Sequence, residues 1–219
     1  MNKIAIAMIN HKGGVGKTTL ALILSQIALE KGVKVAAVDL DPQRNFTDAM
    51  ALVRERYEGS LKVTDQINDD GDVIILDCPP ALNEVTRAAL EFADIVLVPV
   101  NPDMFSLLNL GVVYDFGKRH EKAPEQLAIV KVGFSVKIKG LAEIAATALA
   151  GNQYAVAGDI PVNKLIPYNI VSGRLWSAGI PMPARAPYKN LYEKTLKAYK
   201  SMLDGNIKGA WGVIDNAGA

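Results

Sequence analysis

A glycine-rich run set between an apolar strand and an apolar helix constrains this chain more than any other feature. Residues 10–19 read Asn-His-Lys-Gly-Gly-Val-Gly-Lys-Thr-Thr. Residues 3–9 before it are almost unbroken apolar sequence (Ile4, Ala5, Ile6, Ala7, Met8, Ile9), as in a strand buried on both faces of a parallel sheet. Residues 18–30 after it carry Leu20, Leu22, Ile23, Leu24, Ile27 and Leu29, a helical run stopped by Lys31-Gly32. Strand, glycine loop and helix in this order aim backbone N–H groups and the positive helix end at an anion. Side chains would block close approach of the backbone, which explains Gly13, Gly14 and Gly16; Val15 and Thr19 complete the cradle. Lys17 is placed to neutralise phosphates and the Thr18 hydroxyl to hold Mg²⁺, so a nucleotide is the expected ligand.

The loop departs from the ordinary pattern G-x-x-x-x-G-K-[ST], because His11 stands where the first glycine belongs. A second lysine, Lys12, brackets the same anion site. From the residues alone, Lys12 serves its own phosphate, solvent or a second molecule.

Two acidic clusters end further apolar runs. Residues 33–40 lead into Asp39-Leu40-Asp41-Pro42-Gln43, and residues 73–76 lead into Asp77-Cys78-Pro79-Pro80. In a doubly wound α/β sheet the ligand sits at the carboxyl ends of the strands, so both clusters face the loop's crevice. Asp77 is the expected partner of nucleotide-bound Mg²⁺ and Asp41 the expected holder of an attacking water. Asp39 is expected as a further metal ligand, with a helix cap as the close alternative.

Lys-Gly-Gly-Val-Gly-Lys-Thr-Thr, Asp-Leu-Asp-Pro-Gln and Leu-Asp-Cys-Pro-Pro, in this order, resemble the ParA/MinD family of deviant Walker ATPases, and Asp-Pro-Gln its ParA branch. The resemblance runs over about residues 1–204. It implies a mostly parallel doubly wound sheet with helices on both faces, and ATP with Mg²⁺ as cofactors. It also implies a dimer formed on ATP binding, in which Lys12 reaches the facing subunit's phosphates, and a ParB-like partner that stimulates hydrolysis. Adenine would lie against a proline turn after the last strand, here Pro167. Lys131-Val132-Gly133-Phe134 stands where the family has an Asn or Arg near the base, so the residue that reads it is left open. A lone cysteine, Cys78, argues against the iron–sulfur relatives of this fold, whose cluster needs two per chain, and suits a reducing compartment.

Length and a half-hydrophobic composition suit one domain, expected over residues 1–204, with 205–219 a mobile tail in which Trp211 is able to dock. No apolar run reaches eighteen residues and no signal peptide precedes the loop, so a cytoplasmic, nucleoid-associated protein is expected rather than a membrane one. The remaining sequence reads as a helix over 84–92, a strand over 94–100, a helix over 103–120, a strand over 127–134, a helix over 141–150 and a short last strand over 164–166. Residues 60–71 read as a polar turn. His11 and His120 lack companions at ligand spacing.

Charge is concentrated at one place. Residues 172–203 hold Arg174, Arg185, Lys189, Lys194, Lys197 and Lys200 against Glu193 alone, in a chain of net charge +1. Tyr188, Tyr192, Leu196, Tyr199 and Leu203 recur at helical spacing as the inner stripe, with the lysines opposite. Such a face binds phosphates without sequence preference, and with the resemblance it implies nonspecific DNA binding and DNA segregation. Two alternatives stay open: an ATPase that positions a protein assembly or acts at a membrane surface, and a metabolic P-loop enzyme.

Overall fold

The computed structural model describes residues 2–134 and 155–211. Among these, seven strands form one parallel sheet in the order β3-β2-β4-β1-β5-β6-β7: β1 Ile4–Met8, β2 Val35–Asp39, β3 Leu61–Thr64, β4 Val73–Asp77, β5 Ile95–Val100, β6 Leu127–Val132 and β7 Ala155–Ile160. The four central strands β2, β4, β1 and β5 are buried at every position, which is why their sequences are continuous apolar runs. Helices cover both faces. On one side α1 (Lys17–Glu30), α2 (Asn45–Ala51) and the long α6 (Met182–Leu203) pack around Ile23, Phe46, Trp176 and Tyr192. On the other, α3 (Glu84–Phe92) and α4 (Met104–Arg119) pack around Leu90, Val113 and Phe116. A short helix α5 (Leu165–Val171) precedes α6.

The expected doubly wound fold is thus present, with three differences in detail. Residues 61–64 are strand β3, paired with β2 at the sheet edge, and not part of a turn. Its signal is weak because an edge strand is half exposed and four residues, with Lys62 and Thr64 alternating with Leu61 and Val63, give no continuous apolar run. The last described strand is 155–160, not 164–166; Gly158 and Asp159 mask it as loop sequence. Residues 165–171 are helical although Pro167 lies among them. Pro167 is the third residue of α5, where an N–H has no partner within the helix, so proline is tolerated. The helix expected over 141–150 lies outside the described residues.

The sequence after α6 turns back onto the body. Trp211 is buried, and its indole N–H donates to the Glu125 carbonyl at 2.6 Å. Residues 212–219 lie outside the described residues.

Candidate nucleotide site

The central strand β1 delivers the loop to the carboxyl edge of the sheet, between β4 and β5. Gly14 (φ 75°) and Gly16 (φ 99°) take left-handed backbone, and Gly16 caps α1 in that conformation. A side chain there would be strained, so the glycine spacing read from sequence is a conformational need.

The loop is strapped to the segment that follows β5. β1 pairs with β5 only as far as Met8 and Leu97. Beyond that point the fully buried Asn10 continues the pairing with its side chain, donating from Nδ2 to the Pro99 carbonyl at 2.9 Å. Asn10 Oδ1 accepts from the Lys12 N–H at 3.0 Å. Asn101 Nδ2 donates to the Gly14 carbonyl at 3.3 Å. Lys12 Nζ donates to Asp103 Oδ1 at 2.6 Å and to Ser106 Oγ at 3.0 Å. Asp103 also caps α4 through the Ser106 N–H. Burial pushes the Asp103 carboxyl up, but its bonds to Lys12 and Ser106 outweigh this and hold it at about 2. Asn10, Asn101, Asp103 as a lysine partner and Ser106 were not evident in the sequence; only the helix-opening position of Asp103 was.

Lys17 is 6% exposed, and Nζ donates to the neutral Lys12 carbonyl at 3.0 Å. Burial pulls its pKa down, while the carboxylates of Asp77 and Asp41 act the other way. A buried ammonium at the mouth of a left-handed glycine loop is a site with an unmet demand for an anion.

The Thr18 hydroxyl donates to Asp77 Oδ2 at 2.6 Å. The other oxygen, Oδ1, is buried without a hydrogen-bond partner. Burial raises the Asp77 carboxyl to about 7; the Thr18 bond opposes the rise and the neighbouring Asp39 carboxylate adds to it. Asp39 is the register neighbour of Asp77 across the β2–β4 pair. A hydroxyl and a partnerless buried carboxylate oxygen form a hard oxygen donor set, which fits Mg²⁺. When bound there, the ion would neutralise charge on the terminal phosphates.

Asp41 lies in the turn after β2, beside Asp39 in a cleft that also includes Arg44 and Asp65. Asp39 itself is 3% exposed, and both its oxygens accept backbone N–H groups, from Asp41 and from Thr47. Cys78 is wholly buried, and burial pushes its thiol up, as for a packing residue.

Next to the loop a largely apolar cleft runs between Gly16, Thr19, Leu20, Val132, Pro161 and Pro167. Its apolar walls suit a purine base. The proline turn directly after the last described strand is Ile160-Pro161; Pro167 reaches the same cleft from α5. Tyr188 of α6 fixes that turn by donating from its hydroxyl to the Pro161 carbonyl at 2.5 Å.

The basic residues do not all share one outer face. Lys197 and Lys200 on α6 and Arg174 ahead of it are exposed, and Lys189 is half-buried. Arg174 lies 5.6 Å from the Tyr168 ring. Arg185 Nε is tied to the Ile180 carbonyl at 2.5 Å. Lys194 turns inward: Nζ donates to the Val156 carbonyl of β7 at 3.0 Å, and burial lowers its pKa. At 100° per residue Lys194 falls off the arc shared by Lys189, Lys197 and Lys200, which corrects its place in the expected row. Glu193, the acid in that stretch, is paired with Lys31.

Comparisons with known proteins agree with this fold. A family model described as an AAA domain matches residues 3–64 and 61–129, more than half of the chain. The chromosome-partitioning ATPase Soj of Thermus thermophilus is 32% identical over 140 residues, covering 47% of this chain and 56% of that protein. The chain belongs to the ParA/MinD family. Soj of Treponema pallidum is 23% identical over 223 residues, covering 81% of this ParA/MinD-family chain and 88% of the relative. Against the other curated relatives named Soj or replication protein A, the chain spans about half of their length. A putative plasmid partition protein from Borrelia burgdorferi, bound to AMPPNP, has the same fold with a TM-score of 0.74 at 18% identity, covering 90% of this chain and 99% of that one. The MinD cell division protein of Aquifex aeolicus gives 0.72 at 19% identity, covering 88% and 97%.

Proposed function

We propose that this chain is a ParA-type partition ATPase that dimerises on binding ATP, binds DNA without sequence preference, and hydrolyses ATP under stimulation by a ParB-like partner. The observation that carries the nucleotide chemistry is the hydrogen bond from Thr18 to the buried Asp77, with Asp77 Oδ1 partnerless beside the Lys17 ammonium. In this reading Lys17 stabilises charge on the transferring phosphoryl group, Asp41 orients the attacking water, and Thr18 with Asp77 holds Mg²⁺. Lys12 leaves Asp103 to reach the nucleotide of the facing subunit, so the second positive charge arrives only when two loaded chains meet. Pro161 and Pro167 flank the base. Arg174, Arg185, Lys189, Lys197 and Lys200 supply phosphate contacts, and a dimer presents two such surfaces. The protein acts in the cytoplasm on the nucleoid.

The test is binding to random duplex DNA in ATP and in ADP, with wild type and with Lys197→Glu/Lys200→Glu. The expected result is ATP-dependent binding lost in the double variant. Binding indifferent to nucleotide, or absent from the intact protein, overturns the reading.

A second reading, a positioning ATPase that contacts a protein assembly or a membrane surface, is favoured by one observation. Leu165, Tyr168 and Val171 are 44%, 57% and 80% exposed at three-residue spacing on one side of α5.

A further inference from the structure

Asp39 ends β2 next to Asp77, where an acidic residue invites reading as a second metal ligand. Its surroundings give it other work. Oδ1 accepts from the Asp41 N–H at 3.1 Å and Oδ2 from the Thr47 N–H at 2.8 Å. Thr47 is the third residue of α2, whose N–H has no partner within the helix. The residue at the cap position, Arg44, makes no side-chain capping bond and holds a left-handed φ of 55°. Asp39 is therefore a cap for α2 delivered from the preceding strand, eight residues back.

The same carboxylate governs the turn between strand and helix. Asp41 donates its N–H to Asp39, accepts the Gln43 N–H on its own Oδ1 at 3.0 Å, and accepts the Arg44 N–H on its carbonyl at 2.9 Å. Left-handed backbone at a non-glycine residue costs about 1–2 kcal/mol and persists where neighbours fix it. Here the fixed points are the strand end and the α2 N-terminus, and Asp39 joins them. Arg44 is held on the outside by its pair with Asp65 at 3.3 Å.

We propose that Asp39 is a positioning residue for Asp41: by bonding the Asp41 and Thr47 N–H groups together it sets where the Asp41 carboxylate stands relative to the phosphate loop. This rests on Asp41 orienting the attacking water. A buried carboxylate whose two oxygens each accept a backbone N–H is held in one orientation, which suits a support. A carboxylate that bound Mg²⁺ directly would instead tie its loss to the metal.

The experiment compares steady-state ATP hydrolysis by the full chain with that of Asp39→Asn, Thr47→Pro and Asp41→Ala, titrating ATP and Mg²⁺ separately. Asp39→Asn keeps shape and one acceptor. Thr47→Pro removes the N–H donor but leaves Asp39 intact, at a first-turn position that tolerates proline. Both are expected to lower kcat about tenfold or more, the scale of a misplaced catalytic group. The KM for ATP and the Mg²⁺ requirement should stay within about threefold. A raised Mg²⁺ requirement in Asp39→Asn with normal Thr47→Pro overturns the proposal in favour of a metal ligand. Unchanged kcat in both variants overturns it outright, and so does a parallel collapse of kcat and ATP affinity, which marks a merely structural residue. Normal turnover by Asp41→Ala would instead show that the role assigned to Asp41 has failed, separately from its coupling to Asp39.

Discussion

Lys12 Nζ stands 2.6 Å from Asp103 Oδ1, joining residues 91 positions apart in the chain. The lysine that departs from the ordinary loop pattern is therefore engaged within its own subunit, by the residue that caps α4. In the dimer mechanism proposed above, this bond must open before Lys12 serves another nucleotide. The pair is part-exposed, so it opens at small cost, about 0–1 kcal/mol.

Asp103→Asn isolates that pair, because asparagine caps a helix as well as aspartate does. The folded carboxyl sits at about 2, below its ordinary 3.8, so its contribution to stability is complete above about pH 4 and is lost as pH falls towards 2. The difference in urea midpoint between wild type and variant should be small, flat from pH 5 to 9, and should vanish near pH 2. A difference that instead grows on acidification contradicts the assignment.

How much of this site was legible in the sequence depended on chain distance. The loop, Lys17 and Thr18 are contiguous with a buried strand and a buried helix, so their place followed from local pattern. Asp77 and Asp41 were legible because a doubly wound sheet sends every strand end to one crevice. The straps on the loop were not: Asn10–Pro99, Gly14–Asn101 and Lys12–Ser106 span 87 to 94 residues, and ordinary polar side chains carry no mark of such partners. Strands β3 and β7 escaped because edge strands lack the double-sided burial that writes a continuous apolar run. The two functions open to Asp39 were both visible, but its bond from the Thr47 N–H, eight residues on, was not.

Asp77→Asn should separate stability from function. The wild-type carboxyl is buried with one oxygen partnerless, a desolvation cost that an amide reduces. Without metal at pH 8 the variant should unfold at a higher temperature than wild type, a gain of about 1 kcal/mol corresponding to about 2–4 °C for a chain of this size. Adding Mg²⁺ and ATP should raise the wild-type transition more than that of the variant, as expected when a ligand binds only one of the folded forms well. Turnover by the variant should be lost. Equal stabilisation of both proteins by Mg²⁺ would remove Asp77 from the metal site.

Trp211→Phe tests how the segment after α6 is held. Phenylalanine keeps most of the apolar burial and deletes the N–H bonded to the Glu125 carbonyl. The expected loss is about 1 kcal/mol in chemical denaturation, the net worth of one hydrogen bond. ATP hydrolysis should not change, since Glu125 and Trp211 lie away from the loop. A loss of activity without loss of stability would mean that this segment acts on the nucleotide site.

Lys194 and Lys197 are three residues apart on α6 and should behave oppositely. Lys197 is exposed, and its replacement by alanine should leave the unfolding midpoint in place. If it contacts DNA phosphate, Lys197→Ala should weaken binding to any duplex alike and reduce the slope of log K against log salt by about 0.9 per contact in each subunit. Lys194 bonds the Val156 carbonyl of β7 through a part-buried ammonium. Lys194→Ala leaves that carbonyl without its donor and strips the aliphatic stem from the helix–sheet contact, so stability should fall by about 1 kcal/mol or more. Its effect on the salt slope should be nil. Measuring both quantities for both variants decides whether the basic stretch acts as a row of equivalent charges or as an outer charged set with Lys194 as an inward strut.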